Sequence, residues 1–339
     1  MSKIKINMLS FADKVEGQGV GSAYTELIVL LRKKAYKELD IKVNKGLSFD
    51  VMHLHTIDPI GFMKQKLSKG KSLTYVHFMP NTLEGAVKLP KPCLKTYEWW
   101  VKKVYMSSDY LVTVNPVIKN KLVDMGYPGE RIFYIPNFVS NKKFYPMKKN
   151  DIKRNLKKYG YKEEDFIAVG VGQLHNGKGI MDFVKCAEMN PDIEFIWVGG
   201  FPFGKLMDGY ENIKKIYDNP PKNLRFTGII PRREVNNFYN ISDVFFFPSF
   251  VETFALVAIE AANTHKPLLL RDIPEYKEIY LNRYLKGNSV EDFCKHLRTL
   301  KEDDALYKKY KKYSKYVAKS FNEDSICDMW INLYKEITK

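Results

Sequence analysis

The sequence predicts an α/β fold built twice over, with two doubly wound domains in one chain of 339 residues. Three observations carry this expectation. Short apolar runs recur along the whole chain with helical patterns between them, the alternation that βα units on a parallel sheet produce. Two stretches, 166–180 and 244–262, each read as strand, loop and helix, with glycines in the first loop and a carboxylate in the second. The length also fits two domains, since one domain usually holds roughly 100 to 200 residues.

Taken in order, residues 3–9 read as a first strand, followed by the Gly-rich Glu16-Gly-Gln-Gly-Val-Gly21 and an apolar-periodic helix over 23–36. The segment before that strand has no apolar stretch or small-residue cleavage site, so the mature chain is expected to begin here. Further strands are expected at 49–54, 73–78, 110–114 and 132–135. Pro116 suits a helix start, and that helix ends at Gly126 ahead of Tyr127 and Pro128. Polar residues 137–150, with Pro146, read as a linker. A second series of strands is expected at 166–171, 193–198, 224–226, 244–247 and 267–270, after which the pattern beyond 289 turns helical and rich in Lys and Tyr. The expected divisions are residues 1–145, residues 146–320, and a last helix over 321–339 packing back on the first domain.

Composition narrows the class. Hydrophobic residues at 45% and charged residues at 28% describe a folded chain, and no apolar run approaches the roughly 20 residues that a membrane-spanning helix needs. The four cysteines, Cys93, Cys186, Cys294 and Cys327, lie far apart without a CxxC pair, as in a reducing compartment. Of the net charge of +16, residues 1–150 carry 25 Lys and Arg against 12 Asp and Glu, or +13, leaving 30 against 27, or +3, for the rest. A basic first half points to an anionic partner, either nucleic acid or acidic lipid headgroups.

Chemistry concentrates in two places. Pro248-Ser-Phe-Val-Glu-Thr-Phe-Ala-Leu-Val-Ala-Ile-Glu-Ala-Ala262 carries a strand into a loop with Glu252 and then a helix with Glu260. Amides at that helix start, about Phe254 to Leu256, are suited to a diphosphate, and Glu260 to two adjacent ribose hydroxyls. Spacing alone fits two solvated glutamates at a helix start equally. In Val169-Gly-Val-Gly-Gln-Leu-His-Asn-Gly-Lys-Gly-Ile180, Lys178 stands between glycines ahead of a helix, where an ammonium could meet the same diphosphate; as a lone motif it reads as readily as an ordinary turn.

Together, in this order and on a duplicated architecture, the two patterns resemble the family 4 glycosyltransferases, whose second domain carries a Glu-x7-Glu element. Ile135-Pro-Asn-Phe-Val-Ser with Phe144-Tyr-Pro146 resembles the family's interdomain segment, and Arg271-Asp-Ile-Pro-Glu-Tyr-Lys-Glu-Ile279 the stretch after its Glu-x7-Glu helix. The resemblance implies two Rossmann-like domains facing across a cleft, the GT-B arrangement. It implies that Glu260 binds the donor ribose, that Lys178 and the loop over Thr253, Phe254, Ala255 and Leu256 hold the diphosphate, and that Glu252 holds hydroxyls of the transferred sugar. Gly19 and Gly21 match the family's glycine loop, and His77 its active-site histidine near the reacting carbon. The chain departs from the family at Gln173, where Arg is usual, leaving Arg271, Lys205 or Arg232 to supply a second cation, and at Ala255 and Phe138, where glycine is usual. Retention by front-face attack is implied. His53 and His55 share a strand face, but no third ligand follows at metal spacing, and Asp-x-Asp is absent, so metal-independent transfer without a cofactor is expected.

Residues 94–106 read as an amphipathic helix with Trp99 and Trp100 beside Lys95, Lys102 and Lys103, suited to a headgroup layer, although a domain helix with buried aromatics has the same pattern. With the +13, this leads to a cytoplasmic protein held peripherally at the inner face of the cell membrane, each lysine near an anionic leaflet contributing about 1 kcal/mol. Asn7-Met-Leu-Ser10 and Gly17-Gln-Gly-Val-Gly-Ser-Ala-Tyr24 are similar to the bacterial glycolipid branch of the family, which adds a second sugar to monoglycosyl diacylglycerol. UDP-glucose or UDP-galactose is then the expected donor and a glycolipid the acceptor. A transferase acting on a polysaccharide, cell-wall or protein acceptor shares the donor residues, and a nucleotide-sugar epimerase shares the architecture. A basic nucleic-acid-binding protein would leave the paired loops unexplained, and no nucleic-acid motif is present.

Overall fold

A computed structural model describes residues 2–10, 19–80 and 90–339. The chain forms two units: one holds the described residues up to Phe138 together with Phe321–Lys339, the other Val139–Ser320. The change of unit comes at Phe138, ahead of the 145 read from the linker composition.

In the first unit, β1 (Ile4–Leu9) leads to α1 (Gly19–Lys34), β2 (Leu39–Val43), β3 (Val51–Leu54), α2 (Pro59–Leu67), β4 (Lys71–Val76), α3 (Lys91–Met106), β5 (Tyr110–Thr113), α4 (Pro116–Asp124) and β6 (Ile132–Tyr134). The strands pair in parallel in the order β2-β1-β3-β4-β5-β6. β3 is buried at every residue, as expected of a strand covered on both faces, whereas β2 (Leu-Asp-Ile-Lys-Val) alternates buried and more open positions at the sheet edge. Asp58 and Asn115 cap α2 and α4, each followed by a proline at the first helical position.

The second unit follows with α5 (Lys149–Tyr159), β7 (Ile167–Val171), α6 (Ile180–Met189), β8 (Glu194–Val198), α7 (Tyr210–Asp218), β9 (Leu224–Phe226), α8 (Arg232–Ile241) and β10 (Val244–Phe247). It is completed by α9 (Leu256–Asn263), β11 (Leu268–Arg271), α10 (Pro274–Tyr280), β12 (Leu285–Gly287), α11 (Val290–Glu302) and α12 (Asp304–Ser320). Its strands are also parallel, in the order β12-β11-β10-β7-β8-β9. Read from β9, that is 3-2-1-4-5-6 within the unit, the doubly wound dinucleotide-binding order. β7, β10 and β11 are buried throughout and form the centre of the core.

The last helix, α13 (Glu323–Ile337), belongs to the first unit and packs on α1. Ile326, Trp330, Leu333, Tyr334 and Ile337 are buried, each contributing roughly 1.5–3 kcal/mol of apolar burial as an upper bound. Lys34, in the last turn of α1, reaches Asp324 at 2.6 Å and Glu323 at 3.5 Å. All four cysteines are free thiols.

Candidate active site

Strands β7 and β10 are neighbours, pairing Val244 with Ala168 and Phe245 with Val169, while the chain continues from β7 towards one edge of the sheet and from β10 towards the other. Their loops therefore diverge at the carboxyl ends of the strands, and the crevice at such a switch point is where open α/β sheets bind ligands. Both motifs singled out in the sequence lie here: residues 172–179 follow β7 and residues 248–255 follow β10.

The two loops are bonded together. Phe250 N donates to Gly177 O at 2.9 Å, and Ser249 Oγ lies 3.1 Å from the same carbonyl. Gly179 has φ +69, and a Cβ there would stand 2.1 Å from Pro248 O, so only glycine allows this approach. The result is a short ion pair between Lys178 Nζ and Glu252 Oε1, with Ser249 Oγ donating to the same carboxylate oxygen at 2.8 Å. Lys178 Nζ also lies 5.5 Å from the centroid of the Phe247 ring. An ammonium has three donors, so Lys178 can hold Glu252 and still offer N–H groups to an anion.

Glu260 is 1% exposed on α9. Arg232 of α8 pairs with its Oε1, and Tyr239 Oη donates to its Oε2 at 2.9 Å. Burial, then the Glu260 charge, keeps the Tyr239 hydroxyl protonated far above its ordinary range. Each carboxylate oxygen retains a lone pair for a further donor. Ala255 takes the N-cap position of α9 in the left-handed region (φ 54°, ψ 69°), and Tyr280 Oη donates to the carbonyl of Phe254 at 2.8 Å and lies 3.1 Å from that of Ala255. The turn is thus fixed ahead of the helix start, where first-turn N–H groups have no intrahelical acceptor and the dipole favours an anion.

Of the three cations considered in place of an arginine at 173, Arg271 is committed elsewhere. It is buried, donates from Nε to Pro248 O at 2.9 Å and from Nη1 to Asn288 O at 3.0 Å, pairs with Asp182, and stacks 3.7 Å from the Phe250 ring centroid. It props the carboxylate loop from behind. Lys205 is exposed, and Arg232 stands at Glu260; Gln173 is half-buried after β7. Tyr239 and Ser249 were not singled out from the sequence, because nothing in a lone Tyr or Ser marks the carboxylate it will meet in the fold.

In the first unit, Gly19 and Gly21 lie in the first turn of α1, not in a loop before a helix at 23; residues 16–18 of the expected glycine loop lie outside the described residues. His77 follows β4 and is buried. Its Nε2 lies 3.4 Å from His55 Nδ1, His55 stacks on His53 with centroids 4.1 Å apart, and His53 Nδ1 meets Tyr334 Oη at 2.7 Å. Burial holds all three imidazoles well below their ordinary range, His77 at about 3, so they are neutral at physiological pH. Among the described residues, no group of three or more His, Cys, Asp or Glu is arranged to hold a metal ion.

The tryptophans divide. Trp99 is 58% exposed, with Lys103 Nζ 4.9 Å from its ring, whereas Trp100 turns inward, donating to Ile57 O at 2.6 Å and meeting Phe62 edge-on at 5.1 Å. Lys95, Lys102 and Lys103 are exposed. Beside them, α2 exposes Ile60, Met63 and Leu67, an apolar ridge at helical spacing that the sequence reading did not single out. No helix among the described residues is long and apolar enough to cross a membrane.

Residues 26–143 match the model of the family described as Glycosyltransferase Family 4, and residues 151–318 that of Glycosyl transferases group 1. The chain is 39% identical to the alpha-galactosylglucosyldiacylglycerol synthase of Streptococcus pneumoniae (strain ATCC BAA-255 / R6) over 98% of this chain and 90% of that protein. It is 27% identical to the processive diacylglycerol alpha-glucosyltransferase of Acholeplasma laidlawii over 60% of this chain and 61% of that protein. The sucrose-phosphate synthase of Thermosynechococcus elongatus has the same fold, with a TM-score of 0.80 at 14% identity, covering 99% of both chains. With both halves matched in order and the identity to the streptococcal synthase carried over most of its length, the chain belongs to the family 4 glycosyltransferases and is a glycosyltransferase of the GT-B fold.

Proposed function

We propose that this glycosyltransferase moves glucose or galactose from a UDP-sugar to a membrane glycolipid such as monoglucosyl diacylglycerol, with retention and without a metal. The observation that carries the donor half is the meeting of Lys178 and Glu252 at the switch point of the second sheet. The acceptor half rests on similarity to the two glycolipid-forming relatives and on the basic, apolar-ridged surface of α2 and α3.

In this reading Glu260 accepts the ribose hydroxyls while Arg232 and Tyr239 hold its carboxylate, and the amides at Ala255 and Leu256 take the diphosphate with Lys178 opposite. Glu252, fixed by Lys178 and Ser249, orients the sugar hydroxyls, and neutral His77 contacts the sugar near the reacting carbon. The acceptor hydroxyl attacks that carbon on the face from which the nucleotide departs. The bond to the diphosphate oxygen breaks, and that oxygen takes the acceptor proton, so the configuration is retained. The charge on the departing diphosphate is carried by Lys178 and the helix amides. The enzyme works as a peripheral protein on the cytoplasmic face of the membrane.

The test is UDP release from UDP-glucose and from UDP-galactose in the presence of a chelator, with vesicles containing or lacking monoglucosyl diacylglycerol and mass spectrometry of the extracted lipid. An α-linked diglycosyl lipid is the expected product. Turnover only on a soluble or polymeric acceptor would overturn the glycolipid assignment, and loss of turnover with the chelator would overturn metal independence.

A further inference from the structure

We propose that the lysine face of α12 docks on an anionic lipid surface and gives the second unit its own membrane contact. The +3 balance of the chain beyond residue 150 conceals this patch, because it averages the lysines of one helix over 27 acidic residues of the whole half. Within α12, Asp304 is the only acidic residue, against lysines at 308, 309, 311, 312, 315 and 319.

Lys308, Lys312, Lys315 and Lys319 stand at i, i+4, i+7 and i+11, which at 3.6 residues per turn puts them in one stripe about 16 Å long. All four are exposed, and Val317 and Ser314, on the other side of the helix, are buried. Ser314 Oγ donates to Lys266 O at 2.6 Å and α12 packs on α9, so the stripe is presented by a helix anchored from behind. Lys308, Lys312 and Lys315 have no salt bridge among the described residues. Like charges three and four residues apart oppose helix formation, and an ordinary solvated face mixes signs. A stripe of one sign is a standing cost to the helix that an anionic partner removes.

The aromatic neighbours favour headgroups. Tyr316 is 46% exposed beside the stripe, with Arg283 Cζ 3.2 Å from its ring centroid. Tyr310 and Tyr313 are half-buried on the opposite side of the helix, with Lys309 Nζ 5.9 and 5.8 Å from their rings, and add to its anchoring from behind. Tyrosine and lysine side by side are what the interfacial layer of a bilayer accommodates, the rings at headgroup depth and the ammonium groups on phosphates. A straight row of charges suits a plane of headgroups. The positive field extends inward: after burial, Lys315, Lys311 and Lys266 push the His265 imidazole down to about 4. The proposal rests on the membrane reading only for the identity of its ligand, since α12 lies in the second unit and the α2–α3 surface in the first.

The test uses the full chain with sedimentable vesicles of phosphatidylcholine alone and of phosphatidylcholine mixed with phosphatidylglycerol. The variant Lys308→Gln, Lys312→Gln, Lys315→Gln is compared with the wild type. Affinity for the mixed vesicles should fall about a hundredfold, binding to phosphatidylcholine alone should not change, and turnover on a detergent-dispersed acceptor should stay at the wild-type level. Because all three positions are exposed and the substitution removes like-charge repulsion, the melting temperature of the variant should not fall below that of the wild type. Unchanged binding to the mixed vesicles would overturn the proposal, as would single-stranded DNA that competes as well as the lipid. A wild-type chain that binds the anionic vesicles through these lysines but makes no glycolipid would keep this proposal and refute the acceptor assignment instead.

Discussion

Lys178 and Glu252 are 74 residues apart in the chain and meet as an ion pair where the loops after β7 and β10 diverge, with Ser249 on the same carboxylate oxygen. The pair joins the cation that would face the diphosphate to the carboxylate that would hold the sugar. Replacing Lys178 by Ala should lower kcat about 10²–10³-fold, the scale of losing one preorganised charge at a leaving group. Glu252 keeps only its Ser249 bond in that variant and its side chain is largely buried, so stability should also fall, by about 3 kcal/mol. Steady-state kinetics and a melting curve on one preparation check both. Unchanged turnover would remove Lys178 from the reaction.

Ala255 occupies a left-handed conformation that costs an L-residue about 1–2 kcal/mol and costs glycine nothing. Ala255→Gly should therefore stabilise the chain, by about 0.5–1 kcal/mol once the greater freedom of unfolded glycine is subtracted. Chemical denaturation of the two forms measures it. A destabilised variant would mean that the methyl group, which is 8% exposed with its residue, contributes more in packing than the backbone loses in strain.

Arg271 is a structural cation. Its guanidinium serves Pro248 O, Asn288 O and Asp182 while covering the Phe250 ring. Arg271→Met should cost about 3 kcal/mol, because it leaves two carbonyls and a partly buried carboxylate without their donor. Denaturation midpoints and donor binding separate the roles: stability should fall while residual donor affinity in the folded fraction stays near wild type.

The architecture was legible because buried parallel strands are continuous apolar runs, and Val244–Phe247 or Ile167–Val171 cannot be mistaken for solvent-facing segments. β2 and β12 went unread for the converse reason: an edge strand such as Leu39–Val43 alternates with Asp and Lys, and Leu285–Gly287 is too short to show a period. Lys178, Glu252 and Glu260 were legible as charges at strand ends beside a helix start. Their partners were not, since Arg232, Tyr239 and Ser249 reach them only through the packing of α8 and the turn after β10. The same holds for the histidines: the strand spacing of His53 and His55 gives a shared face, but Tyr334 arrives from the last helix.

The stack of His53, His55 and His77 makes stability depend on pH. Each is neutral in the folded chain with its pKa lowered by burial, while the unfolded chain protonates near the ordinary 6.5. The unfolded state thus binds more protons below that value, and stability falls with acidification. At about pH 5.5 the loss should approach 1.4 kcal/mol per histidine relative to neutral pH, or about 4 kcal/mol for the three. Urea denaturation midpoints between about pH 7.5 and pH 5.5 read it. His265, held down at about 4, adds a fourth share, so His53→Phe should flatten the slope by about a quarter; an equal slope in that variant would place the pH dependence elsewhere.

Trp99 and Trp100 are sequence neighbours with opposite surroundings, one exposed under Lys103 and the other bonded to Ile57 O against Phe62. If the α2–α3 surface sits in the headgroup layer, Trp99→Ala should weaken vesicle binding about tenfold through lost apolar burial and leave the melting curve in place. Trp100→Ala should do the reverse, destabilising by about 2 kcal/mol because it empties a half-buried site and orphans a carbonyl. Ile60→Ser combined with Met63→Ser and Leu67→Ser extends the first test along the exposed ridge, and its effect should exceed that of Trp99→Ala because three apolar side chains leave the interface. Vesicle sedimentation and thermal melting, run on the three proteins together, distinguish a docking surface from a folding element. Equal vesicle affinity in all three would return the basic first unit to an ordinary solvated face.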